Sequence, residues 1–408
     1  MNQKPILFVS VNDRCYASYR FFAARLSEAV SRQGIKTAWC YLPEGSGKDE
    51  ASWDRVLQEV LGKPYLAVVD FNSFLPKLAV DKTNLIDLFE APFYHIVLDH
   101  PLYHHAALSA GTDLQHVICV DERHAGYVRA NYPRIRQVWS QTIPGTAGAL
   151  ADTPFRERKN EILFCGTYEE PEQYWDLMST LPAELKKECR LLAEQMLAQP
   201  DRTMEELLAK LWGDTDASAA AGTERQEGGT SSRHADGIFG PRFAARMQAD
   251  FLADAYVRNL RRKQVIEALI RAGQPLALFG QGWEQIGAKS AGALSYGNYV
   301  NHIGAYRFAL HCMPGFVYGG HDRIGNAMQN GAVCITDRTQ YTRDCYGQGN
   351  VRYLGYGTGQ MEELTAQCEY GLTHPKEAEE IAAAGKQYAG THETWDRFAE
   401  KLIRHIVS

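Results

Sequence analysis

The chain has 408 residues, 45% of them hydrophobic and 23% charged, with a formal net charge of −6. That length exceeds the ~250–300 residues at which single cores stop growing, so two domains are expected. The acidic balance argues against a dedicated nucleic-acid binder, and no apolar run approaches the ~20 residues of a membrane-spanning helix. The first apolar segment, residues 5–11, runs into Asn12 and Asp13 and is too short for a signal peptide. Nine cysteines scattered without CxxC pairs fit a reducing, cytoplasmic setting.

Strand and helix patterns alternate from the start. ILFVSV precedes a helical stretch in which Phe22, Leu26, Ala29 and Val30 recur at helical spacing until Gly34. KTAWCYL reads as a second strand and SWDRVLQEVLG as a second helix. YLAVVDF (65–71), FYHIVLD (93–99) and VICVD (117–121) read as further buried strands. This alternation predicts an α/β fold with parallel sheets, in which functional groups collect at the carboxyl ends of strands. After TIPGTAGALADTPF (142–155) the pattern restarts with EILFCG (161–166), PLALFG (275–280), GAVCITD (331–337) and NVRYLGY (350–356). Helical patterns and a low-complexity tract at 214–237 separate the first two of these strands, and the tract reads as a loop. Two Rossmann-like domains are therefore expected, at 1–150 and 155–390. The second carries a helical insertion at about 169–258, and residues 391–408 form a closing helix.

Several polar groups sit where such a fold puts its chemistry. In GGHDRIGNAMQNG, Gly319, Gly320, His321, Asp322 and Arg323 precede or open an amphipathic helix. Two readings fit them: an anion site built from helix N–H groups and Arg323, or a Gly-Gly turn with Asp322 as helix cap. Gly166 and Thr167 follow a strand. Arg261, Arg262 and Lys263 are read as opening the QVIEALIRAG helix, with Arg262 the best placed to meet a ligand. Gln281 and Trp283 follow the next strand, Trp283 equally fitting the core. Asp99 and His100 end a strand of the first half, and Asn12 and Asp13 follow its first strand. His100, His104 and His105 lack a Cys or Glu at zinc-like spacing, so no metal site is expected. No cysteine pairs with a recognisable base, so none is read as a nucleophile.

The order ILFCGTY, NLRRKQVIEAL, LALFGQGWE, GGHDRIGNAMQNGAVCITD and HPKEAEEIAAAGKQYAGTHETWDRFAEKLI resembles the CgeB-like (spore-maturation protein) glycosyltransferases of the GT-B group. The likeness covers roughly residues 160–408, apart from the insertion, and is strongest in the last 90. LDHPLYHH is a weaker match in the first half. The resemblance implies two facing Rossmann-like domains, with a nucleotide-sugar donor on the second and an acceptor on the first. It implies no cofactor beyond that co-substrate, UDP-linked on family frequency, and no metal. The acceptor would be a protein, a glycan or a small molecule.

The donor residues implied are Gly166, Thr167, Arg262, Gln281, Gly319, Gly320, Asp322 and Asn326. His321, Arg323, Asp99 and His100 carry the chemistry, and Asn12 and Asp13 lie on the acceptor side. Many retaining relatives place two Glu residues where this chain has Gly319 and Asn326, so a carboxylate contact is lost while Asn326 retains a possible ribose hydrogen bond. An epimerase or phosphorylase, or a carbohydrate-binding or scaffold protein with a decayed site, is the alternative reading.

Overall fold

The computed structural model describes residues 4–11, 14–42, 50–208, 210–211 and 241–408. Asn12, Asp13 and the 214–237 tract lie outside the described residues.

Two parallel sheets organise the chain. The first has six strands in the spatial order Thr37–Leu42, Ile6–Val11, Ala67–Phe71, Phe93–Val97, Gln115–Cys119 and Val138–Ser140. The second has five, in the order Leu276–Phe279, Lys159–Cys165, Tyr306–Leu310, Val333–Asp337 and Leu354–Tyr356. Every pairing within these two sheets is parallel. The central strands are buried along their whole length, as AVVDF, FYHIV and VCITD show. This accounts for their unbroken apolar runs. In each sheet the chain reverses its direction of strand addition beside the founding strand. That leaves a crevice at the carboxyl ends of Ile6–Val11 and Ala67–Phe71, and another at those of Lys159–Cys165 and Tyr306–Leu310.

The connection between the sheets is fixed to the helix Asp322–Gln329. A Cβ on Gly145 would lie 2.1 Å from the carbonyl carbon of Gly325, so this crossing requires the absence of a side chain. Next to it, Thr146 N–H donates to Asn326 Oδ1 and Gly148 N–H to Asn330 Oδ1, both at 2.8 Å. The closing helix Trp395–Val407 packs on the helix Ser18–Arg32 of the first half. Arg32 pairs with Asp396 at 2.7 Å, Tyr94 donates to His405 O, and Lys401 donates to Ser140 O. One hydrophobic cluster consequently runs through both halves and includes Phe22, Tyr296, Trp395 and Phe398.

The insertion contains the helices Pro171–Ser179 and Ala183–Ala198, followed by a 31-residue helix, Pro241–Arg271. The start expected at the Arg261–Lys263 triplet is therefore incorrect. No Gly or Pro interrupts ADAYVRNLRRKQ, Asn259 turns its amide back to Ala255 O instead of capping a new helix, and the helix continues through it. Ala253 and Val257 of this helix join the insertion core with Leu102. Val265, Ile266 and Leu269 join the core of the second sheet. A single helix thus ties the insertion to both halves of the molecule.

Asp250 on the same helix is 4% exposed, and burial pushes its carboxyl up to about 8, with Glu188 adding to the rise against the charge of Arg246. The folded chain then holds a proton that the unfolded chain releases above its ordinary pKa. Stability accordingly falls as pH rises from about 4 towards 8. Asp250→Asn removes that titration and is expected to raise Tm at pH 8 by at least ~3 °C, with a smaller change at pH 5. Calorimetry at the two pH values measures the difference.

Candidate functional site

The two crevices face one another across a cavity of about 260 Å³. The first half lines it with Tyr16, Tyr19, Phe22, Asn72 and Asp99, and the second with Gly166, Thr167, Gly320, His321, Asp322 and Arg323.

The helix start at GGHDR has a different local design from the one expected. His321, not Asp322, is the N-cap, its Nδ1 accepting from Arg323 N–H at 3.3 Å. Asp322 is 9% exposed and turns inward, where it accepts from the Tyr296 hydroxyl and, at 3.3 Å, from Asn326 Nδ2. Burial opposes its charge, but His321, Tyr296 and Arg323 prevail and hold its carboxyl below the usual range. Asn326 is 1% exposed, and its amide is spent on Tyr296, Asp322 and Thr146, so it does not line the cavity. The ribose contact expected of Asn326 is therefore replaced by a structural one. Gly319 is likewise absent from the lining: it bridges to Asp121, and a Cβ there would lie 2.3 Å from Val120 O. Its small size admits the protein's own backbone rather than a ligand.

Two guanidinium groups converge behind the strand end at Gly166. Arg323 donates to Cys165 O and lies with its Cζ 5.4 Å from the Tyr299 ring centroid. Arg262 donates to Thr167 O from the interior of the long helix, outside the cavity lining. Among the described residues, neither forms an ion pair. Burial lowers the pKa of Arg262 from 12.5 to about 10, Cys312 opposing that fall and Arg323 reinforcing it. Arg262, buried beside a second cation and without an ion pair among the described residues, carries an electrostatic cost that a bound anion would relieve. For Arg323, burial is outweighed by Tyr299, Cys165 and Asp322, which hold its pKa up. The expected Gly166 N–H donor is not free, because it bonds Phe279 O in the sheet. Thr167 contributes its side chain at the rim, hydrogen-bonded to Tyr16 at 2.6 Å. Gln281 is exposed and outside the lining. Trp283 is wholly buried and donates to Gly166 O at 2.7 Å, a core role.

On the opposite wall, Asn72 Nδ2 donates to Asp99 Oδ2 and to the Tyr19 hydroxyl, both at 2.8 Å. Burial acts against the charge of Asp99, yet His104, Arg258 and Asn72 hold its carboxyl below the ordinary value. His100 does not reach the cavity. Its Nδ1 caps the turn Pro101–His104 by accepting from Leu102 N–H, and its ring faces a second, smaller cavity behind. The expectation that His100 meets substrate is therefore corrected, since the turn after Asp99 rotates the next side chain away. His105 contacts the Tyr132 hydroxyl at 3.0 Å and is structural.

Tyr16, Tyr19, Asn72, Tyr296 and Tyr299 line the cavity and were not identified from the sequence. Asn72 directly follows the strand Ala67–Phe71 and was identifiable as a strand-end residue. The tyrosines carry no comparable signal, because helical tyrosines at apolar spacing read as core.

A family described as glycosyl transferase-like matches residues 261–404. No curated protein matches the chain. Among solved structures, an alpha-glucosyltransferase (AGT) in complex with UDP aligns at 9% identity over 100% of both chains, with a TM-score of 0.52. An alpha-glucosyltransferase in complex with UDP and a mismatched 13-mer DNA aligns at 8% identity over 99% of each chain, with a TM-score of 0.50. Sucrose-phosphate synthase from Thermosynechococcus elongatus aligns at 12% identity over 98% of each chain, with a TM-score of 0.48. Among the described residues, no helix is long and apolar enough to cross a membrane. Residues 261–404 match a glycosyl transferase-like family, and the chain has the α/β fold of the GT-B glycosyltransferases.

Proposed function

We propose that this chain transfers a sugar from a nucleoside-diphosphate donor to a hydroxyl-bearing acceptor held in the cleft between its two sheets. The observation that carries the reading is the pair Arg262 and Arg323, two cations that form no ion pair among the described residues, one lining the cleft and one behind it. Glycosyl transfer breaks the bond between the sugar and the diphosphate, leaving negative charge on the diphosphate. Arg323, at the positive end of the Asp322–Gln329 helix dipole, is placed to stabilise that charge. Across the cavity, Asp99, held by Asn72, accepts a hydrogen bond from the acceptor hydroxyl and orients it.

The donor lies on residues 155–390 and the acceptor on residues 1–150. The order of motifs in the last 90 residues supports a place in the CgeB-like group, and the alpha-glucosyltransferase of the same fold holds UDP, which supports a UDP-linked donor. Arg323, with the charge of Arg262 behind it, meets the diphosphate charge, so the transfer step requires no metal.

Arg262→Ala is expected to weaken UDP binding by about 10-fold, through loss of a positive charge behind the cleft and of its hydrogen bond to Thr167 O. Titration calorimetry of wild type and variant with UDP measures it. Equal affinity in the two proteins contradicts the proposed role of Arg262.

A further inference from the structure

Behind the reaction cleft, three residues distant in sequence meet. His100 ends the loop after the strand Phe93–Val97, His124 lies on the helix Glu122–Asn131, and Glu205 comes from the insertion. One donor atom from each lies within 4.8 Å of the others. His100 and His124 are 9% and 5% exposed, and their rings cross at a centroid distance of 4.6 Å. His124 Nδ1 and Glu205 Oε2 are buried without a hydrogen-bond partner, and His100 Nε2 and Glu205 Oε1, 3.0 Å apart, have only each other. Buried polar atoms are ordinarily satisfied, and two orphans beside a buried His–Glu pair require an explanation.

We infer that His100, His124 and Glu205 bind one divalent metal ion of the zinc class, and that this ion pins the insertion to the first half of the molecule. Two imidazoles and a carboxylate are a zinc donor set. Ligand atoms about 2.0–2.1 Å from a tetrahedral ion lie about 3.3 Å apart. His100 Nε2 and Glu205 Oε1 stand 3.0 Å apart, close to that spacing. The adjoining cavity of about 40 Å³ leaves room for a water as fourth ligand.

Three arginines also line this cavity. Arg258 pairs with Asp254 at 2.9 Å and Arg202 with Glu206 at 3.7 Å, while Arg261, which donates to Met196 O at 2.6 Å and forms no ion pair among the described residues, works against a cation and lowers its affinity. The site has a second built-in cost. Without metal, His100 Nδ1 accepts from Leu102 N–H at 3.1 Å, which leaves the ring proton on Nε2. The ion takes the Nε2 lone pair, the proton moves to Nδ1, and the Leu102 N–H loses its acceptor. Affinity is therefore held below that of a fully preformed site, and the ion is removable by chelators.

The test uses the full chain, purified without chelator and submitted to elemental analysis. It is then stripped and titrated with Zn²⁺ alone while Tm is followed, with Co²⁺ substitution as a spectroscopic readout. The expected result is about one ion per chain, a rise in Tm of several degrees on Zn²⁺ addition, and visible bands of four-coordinate Co²⁺. Glu205→Gln, which keeps the side-chain shape, loses the ion, the Tm response and the bands, and His124→Asn does the same. His104→Asn, outside the triad, keeps them. Wild-type protein that neither retains nor responds to Zn²⁺ overturns the inference, leaving a direct His100–Glu205 contact only. Equal metal content in wild type and Glu205→Gln also overturns it, because the ion is then bound elsewhere.

Discussion

Arg323→Ala lowers kcat/KM for the preferred nucleotide sugar by about 100-fold or more, the scale of losing one charged group aimed at the developing charge of a transition state. Most of the loss appears in kcat, because the guanidinium interacts more strongly with the departing diphosphate than with the intact donor. The geometry supports this magnitude. Arg323 lines the cavity, is anchored by one hydrogen bond to Cys165 O, and has the rest of its planar fork available to phosphate oxygens. Arg323→Lys keeps the charge but not the fork and recovers only part of the activity. Initial rates of nucleoside diphosphate release from wild type and the two variants measure the series. Unchanged kcat in Arg323→Ala would move the diphosphate site elsewhere.

Gly145→Val produces the largest expected loss of stability. The position admits no Cβ, because Gly325 C and O lie 2.1 and 2.2 Å from where it would stand, and both are backbone atoms that no rotamer change can move. The linker must lift from the helix, and Thr146 and Gly148 then lose their bonds to Asn326 and Asn330. A destabilisation of roughly 3–5 kcal/mol follows from the overpacking together with the orphaned buried amides. Because the linker also sets how the two sheets face each other, donor release is expected to fall as well, although no catalytic group is touched. Denaturant melts and small-angle scattering of the variant measure the two effects separately.

The alternation of elements, and with it the pair of parallel sheets, was legible because buried parallel strands are continuous apolar runs such as AVVDF and VCITD. The GGHDR segment was equally legible as a polar cluster at a helix start, and the structure brings Gly320, His321, Asp322 and Arg323 to the cavity. What the sequence could not show was the direction in which individual side chains point. Asn326 was expected to face a ribose because the family resemblance puts a Glu for the ribose at that position. The structure turns it onto the linker, a contact across 180 residues that leaves no local trace. His100 was read as a strand-end residue, but one further residue rotates it onto a capping bond with Leu102. The triad of His100, His124 and Glu205 was invisible for the same reason. Its carboxylate arrives from the insertion, about a hundred residues downstream of His100, while local spacing arguments search only within a few turns. The interior position of Arg262 was missed because a Lys/Arg run was read as a helix terminus, where the apolar periodicity of the long helix in fact continues.

The most direct test of the account is to incubate the purified chain with a panel of nucleotide sugars and follow nucleoside diphosphate release without added acceptor. The account predicts slow hydrolysis of one donor, UDP-linked, with water substituting for the acceptor hydroxyl. Absence of release from every donor, together with absence of binding to any nucleoside diphosphate, would contradict the assignment of the cleft as a donor site.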